Sequence, residues 1–180
     1  MGYAWLSLMA HGFDDYRIFI SAPGDLDPDR QSCYDAISAV NENCSMPAKV
    51  LLVSVGLREN VQIEANRSIV SDNVRWSSYF IQLFQDDWGP RDLFRKLLFV
   101  ALECKDDPAM PMRDVLICLK DAPHETNPQI LAFRAELEAL ENVRLIRYSR
   151  PEEARQQIAE VCTAWAESII AAKAAISPQA

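Results

Sequence analysis

The sequence predicts a three-layer α/β domain, a five-stranded parallel sheet in the order 2-1-3-4-5 with helices on both faces. Three observations carry this expectation. Short apolar runs alternate along the chain with stretches of helical period, the mark of repeated strand–helix units. Two of those runs, Val50-Leu51-Leu52-Val53-Ser54-Val55 and Val115-Leu116-Ile117-Cys118-Leu119, are continuous rather than alternating. Strands covered on both faces read that way. Ile18-Phe19-Ile20, finally, stops at Pro23-Gly24 and turns straight into a helical pattern, which opens a strand–turn–helix unit.

Each element follows in order. Ile18-Phe19-Ile20 is β-branched or aromatic and forms the first strand. Asp27 suits an N-cap and Pro28 the first helical position, where a missing N–H costs nothing. The helix over 28–43 then presents Cys33, Ala36, Ile37 and Val40 at i, i+3, i+4, i+7. After the second strand, at 50–55, a weaker helix is expected over 60–71. Ser78 to Phe84 makes the third strand, and the helix over 91–104 turns Leu93, Leu97, Val100 and Ala101 to one side. The fourth strand, 115–119, leads through a polar loop to a helix over 129–141 with Ile130, Phe133, Leu137 and Leu140 inward. Val143 to Tyr148 alternates, as an edge strand does. Ser149-Arg150-Pro151-Glu152 has the spacing of a capping box, and Ile158, Val161, Trp165 and Ile169 form the core stripe of the last helix. The organisation expected is an arm over 1–15, one α/β domain over 16–173 and a frayed tail over 174–180.

Composition narrows the function. At 180 residues, 49% apolar and 24% charged, the chain has the make-up of one soluble globular domain. A net charge of −8 argues against a nucleic-acid surface, which needs a basic patch, and disfavours an anionic membrane. The five cysteines are odd in number and lack CxxC spacing, so free thiols in a reducing cytoplasm are expected. Ala4 to Ala10 is apolar, but it is too short to span a bilayer and no basic segment precedes it. Gly2 is followed by Leu6 where a myristoylation signal wants Ser or Thr.

In the 2-1-3-4-5 order the switch point lies between strands one and three, so the loops Ser21–Asp27 and Gln85–Asp92 flank one crevice. Ser21, Asp25, Asp27, Asp86, Asp87, Trp88 and Asp92 fall there. Several carboxylates together suit a cationic ligand, a cationic transition state or a divalent cation, and not a naked phosphate. Trp88 beside Gly89 offers a stacking surface for a base. There is no GxGxxG, GxxxxGK[ST] or GxSxG. With two histidines a zinc site is not expected, although His124 and Glu125 follow the fourth strand and reach toward the same edge.

Phe19-Ile20-Ser21-Ala22-Pro23-Gly24-Asp25-Leu26, followed by Asp29-Arg30, resembles the opening of bacterial TIR-like (Toll/interleukin-1 receptor-like) domains. Tyr79 to Phe84 ending in Trp88-Gly89, Asp92-Leu93-Phe94-Arg95, Val115 to Lys120 and the stretch from Phe133 to Trp165 are similar as well, so the likeness spans 16–170. The resemblance implies a flavodoxin-like sheet and, in some members, cleavage of the nicotinamide–ribose bond of NAD. NAD is then a substrate, and no cofactor is implied. The family's catalytic residue is a glutamate at the start of the helix after the third strand, and Asp92 stands nearest that position, one methylene shorter. Under this reading Asp92 stabilises the ribosyl cation or orients the ribose hydroxyls. Ser21, Asp25, Asp86, Asp87 and Trp88 bind the ligand, and no residue is assigned to a metal. Other members are non-catalytic signalling modules that self-associate or recruit a second TIR-like domain. A third alternative is an enzyme resembling nucleoside deoxyribosyltransferases, which use a carboxylate nucleophile.

Overall fold

The computed structural model describes residues 12–56, 67–87, 89 and 92–176. Five parallel strands, β1 (Asp14–Ser21), β2 (Val50–Gly56), β3 (Tyr79–Phe84), β4 (Asp114–Lys120) and β5 (Arg144–Tyr148), form one sheet in the order β2-β1-β3-β4-β5. The expected topology is the observed one. Between them run α1 (Asp27–Val40), α2 (Arg67–Arg75), α3 (Leu93–Asp106) and α4 (Pro128–Glu138), and α5 (Pro151–Ile176) follows β5. Among the described residues no helix is long and apolar enough to cross a membrane.

β4 reads as a continuous apolar run because both its faces are covered. β2, at the sheet edge, is buried at Val50 and Leu52 and only half-buried at Leu51, Val53 and Val55. All six residues of β3 are buried. On one face Ile18, Ile20, Leu52, Ile81, Leu116 and Cys118 pack with Cys33, Ile37, Ile158, Cys162 and Ile169 of α1 and α5. On the other, Phe19, Phe80, Val115, Ile117 and Leu119 pack with Val74, Leu97, Phe133 and Leu137 of α2, α3 and α4. Aromatic pairs mark both layers. Tyr79 stacks on Trp165 at 4.3 Å, and Phe84 meets Phe133 edge-on at 5.0 Å. Gly56 ends β2 where a Cβ would come within 2.7 Å of the Tyr34 hydroxyl of α1, so any larger residue there would have to displace that side chain.

Several boundaries differ from the sequence reading. β1 starts at Asp14, ahead of the expected limit at 16, and α5 runs to Ile176. The arm over 1–11 and the last four residues lie outside the described residues, as does the first part of the helix expected over 60–71. α2 occupies 67–75. α1 ends at Val40 and passes into a π-helical turn, Asn41–Ser45, rather than continuing to 43. Asp27 does not cap α1. Leu26 is the N-cap and makes no side-chain cap bond, while the Asp27 carboxylate pairs with the Arg30 guanidinium. At α5 it is Glu153, not Glu152, that reaches back, accepting the Ser149 N–H at 2.9 Å and the Arg150 N–H at 3.4 Å. The Ser149 hydroxyl is drawn away to Asp121.

Candidate functional site at the carboxyl edge of the sheet

The carboxyl ends of β1, β3 and β4 release three loops on one side of the sheet. The β1 loop is short because Pro23 breaks the strand and Leu26 N–H closes a turn onto the Pro23 carbonyl at 3.1 Å. It carries Asp25, which is exposed. The β3 loop carries Asp86 and Asp87, also exposed. Its start is anchored, since Gln85 Nε2 donates to the Asp121 carbonyl at 3.3 Å and Arg134 donates to the Gln85 carbonyl at 2.6 Å. Asp87 accepts the Gly89 N–H at 2.9 Å, a turn that fixes its carboxylate locally. The β4 loop adds His124 and Glu125, with Glu125 accepting the Thr126 and Asn127 N–H groups at 2.7 and 2.6 Å.

These pieces meet. A cavity of about 270 Å³ is lined by Gln85, Asp86, Ala122, Pro123, His124 and Glu125. Partial burial, and then the negative charges of Asp25, Glu125 and Asp87, push the Asp86 carboxyl above the ordinary aspartate range. An upward-shifted carboxyl in a cleft is a candidate for acid–base chemistry. Among the described residues no group of three or more His, Cys, Asp or Glu side chains is arranged to hold a metal ion.

The structure thus brings together Asp25, Asp86 and Asp87 of the residues expected here, and places two others elsewhere. Ser21 is fully buried, and its hydroxyl donates to Gln82 Oε1 at 2.9 Å. Gln82 in turn donates from Nε2 to the Leu83 carbonyl at 2.7 Å and the Ser21 carbonyl at 3.3 Å. Ser21 and Gln82 are register partners, so this network bolts β1 to β3 at the switch point. Asp92 is the N-cap of α3, held at φ 57° and ψ 33°. Its carboxylate makes no cap bond and stands exposed at a second cavity, of about 410 Å³, with Arg95, Gln129, Ala132, Phe133 and Glu136. There the Arg95 guanidinium lies 4.9 Å over the Phe133 ring and 3.5 Å from Glu136. Trp88 lies outside the described residues.

Beneath the β1 loop the structure gives a place to polar groups to which the sequence alone assigns no role. Arg30, 2% exposed, donates to the Ala22 carbonyl and so holds the loop that carries Asp25. Asp29, fully buried, accepts from Lys120 Nζ at 3.0 Å. Burial and the Asp29 charge together push the Tyr148 phenol far up. Two polar interruptions were visible as signals. Gln82 is the one polar residue in Tyr79–Phe84, and Asp29-Arg30 is a charged pair in the first turn of an amphipathic helix.

No family model matches this chain, and no curated protein matches it. Among solved structures it is similar to translation elongation factor SelB from Methanococcus maripaludis in its apo form. That match has TM-score 0.48 and 8% identity over 86% of this chain and 35% of that one. It is similar also to the metal-soaked Flv1 flavodiiron core from Synechocystis sp. PCC6803, with TM-score 0.45 and 13% identity over 91% and 37%. A third is the flavodoxin-like domain of a Synechococcus protein, with TM-score 0.44 and 16% identity over 87% and 98%. The chain spans little more than a third of the first two. The five-stranded parallel sheet, by its own order β2-β1-β3-β4-β5, is a flavodoxin-like fold.

Proposed function

We propose that this chain binds a nucleotide at the carboxyl edge of its sheet and cleaves the N-glycosidic bond, with NAD the first substrate to test. The observation that carries the reading is the convergence of Asp25, Asp86, Asp87 and Glu125 at the carboxyl edge of the sheet, with Asp86 pushed up by partial burial and then by those charges. When neutral nicotinamide leaves with the electrons of the C1′–N bond, the ribose becomes an oxocarbenium-like cation, and water then adds at C1′ and gives up a proton. Clustered carboxylates stabilise such a cation, and one of raised pKa is suited to take up that proton. Asp92, one cavity away on the N-cap of α3, is the competing seat of the same role.

The test is NAD loss by the purified protein, with Asp86→Asn and Asp92→Ala beside the wild type. Turnover should fall at least about a hundredfold in Asp86→Asn, the scale of a lost acid–base group. A fall confined to Asp92→Ala moves the chemistry to the α3 cap. A wild type that consumes neither NAD nor a deoxyribonucleoside defeats the enzymatic reading. A second reading, a non-catalytic self-associating module, draws on apolar side chains left outside, with Trp76 70% exposed and Phe99 and Leu131 exposed on α3 and α4. Assembly with concentration and without turnover would favour it.

A further inference from the structure

The two edges of the sheet, β2 and β5, are guarded in different ways. β5 carries Arg144 and Arg147, exposed and ion-paired to Asp114 and Glu138. Charged side chains on an edge deter a second strand. β2, Val50-Leu51-Leu52-Val53-Ser54-Val55-Gly56, has no charge and no proline. A short uncharged run rich in valine and leucine is the composition that pairs edge to edge.

Among the described residues, one side chain occupies this edge. Asn41 stands where α1 gives way to the π-helical turn. Its Nδ2 donates to the Leu52 carbonyl at 2.8 Å, and its Oδ1 accepts the Leu52 N–H at 2.9 Å. In a strand the N–H and C=O of one residue point to the same side, and in a parallel ladder both go to the same neighbour. The Leu52 pair therefore faces away from β1, toward where another strand would add. The buried Ser45 hydroxyl donates to Asn41 Oδ1 at 2.8 Å, which fixes the amide with its oxygen toward the Leu52 N–H.

We propose that Asn41 is an edge plug, its carboxamide taking the hydrogen-bonding positions on Leu52 that the β2 strand of a second copy of this chain would otherwise occupy. A second copy is the occupant because two identical uncharged edges can pair about a two-fold axis with each strand burying the other equally. The π-helical turn belongs to the device. It follows α1 directly, and its last residue, Ser45, supplies the hydroxyl that orients the amide.

The experiment is light scattering of the wild type, Asn41→Ala and Asn41→Ala/Val53→Lys over a rising concentration series. Asn41→Ala should reach twice the chain mass or more where the wild type holds its own mass, and the lysine, set mid-strand on the same edge, should return it to the wild-type mass. Amide exchange on the wild type supplies a readout that needs no variant. The Leu52 N–H should exchange as slowly as the N–H groups of the β1–β2 ladder. A folded Asn41→Ala that keeps the wild-type mass, association that the lysine leaves untouched, or a Leu52 amide that exchanges freely would each overturn the plug.

Discussion

Asp114 shows how much one side chain can hold. It opens β4 and accepts four donors: Lys105 Nζ at 2.8 Å, its neighbour Val115 N–H at 2.9 Å, Arg144 Nε at 2.6 Å and Trp165 Nε1 at 2.9 Å. α3, β4, β5 and α5 are tied at one carboxylate, at the edge opposite the acidic crevice. Burial alone would push this carboxyl up, yet the bonds from Lys105, Trp165 and Arg144 outweigh it and hold the group below the ordinary aspartate range. A depressed folded-state pKa means stability that is present above the unfolded value of 3.8 and lost as pH falls through the folded one. Asp114→Asn should therefore cost about 2 kcal/mol at neutral pH, the scale of losing a hydrogen bond to a charged group at a half-buried carboxylate. In urea titrations the gap from wild type should close below the ordinary carboxylate range. A gap independent of pH would show that packing, not charge, is lost. In the sequence Asp114 is only a polar residue ahead of a strand, because its partners lie 9, 30 and 51 positions away.

At the scale of elements, strands and helix faces were legible and helix ends were not. Burial in a sheet repeats along the chain, so runs such as Val115–Leu119 announce themselves. A cap is a competition for one backbone N–H, decided by whichever side chain is free to reach it. Asp27 has the right chemistry and position for a cap, but buried Arg30 engages its carboxylate. At α5 the spacing singled out Glu152, while Glu153 holds the geometry and Ser149 turns to Asp121. α4 obeys the simple rule: Asn127 accepts the Gln129 N–H at 2.9 Å, with Pro128 in the first turn. Asn127→Ala should cost about 1 kcal/mol and lower the thermal midpoint, where an uncapped helix end would show no change.

The whole molecule is stapled by no disulfide, and its five thiols are all free. Cys33, Cys104, Cys118 and Cys162 are buried and Cys44 is partly exposed. Burial pushes Cys162 up to about 12 and Cys33 and Cys118 well above the ordinary thiol value. Native protein should therefore release one equivalent of chromophore with a thiol-specific aromatic disulfide at neutral pH, through Cys44, and denatured protein five. Rapid reaction of Cys33 or Cys162 in the native state would contradict the packing of α1 against α5. At this scale the acidic crevice was legible because topology alone brings the β1 and β3 loops together. Its support was not. Ser21 ends β1 at the crevice and so reads as a ligand group, whereas its hydroxyl turns inward to Gln82, its register partner on β3.

The buried Asp29 has a consequence in time. Its cation, Lys120, comes 91 positions later in the chain, and α5, which covers α1, is made later still. On a ribosome adding roughly 5–20 residues per second, the first helix waits on the order of ten seconds for both. Through that interval the carboxylate must stay in water and the apolar strands of the first half must stay unsealed. Such a nascent chain is exposed to chaperones and to its own copies. The fold closes late.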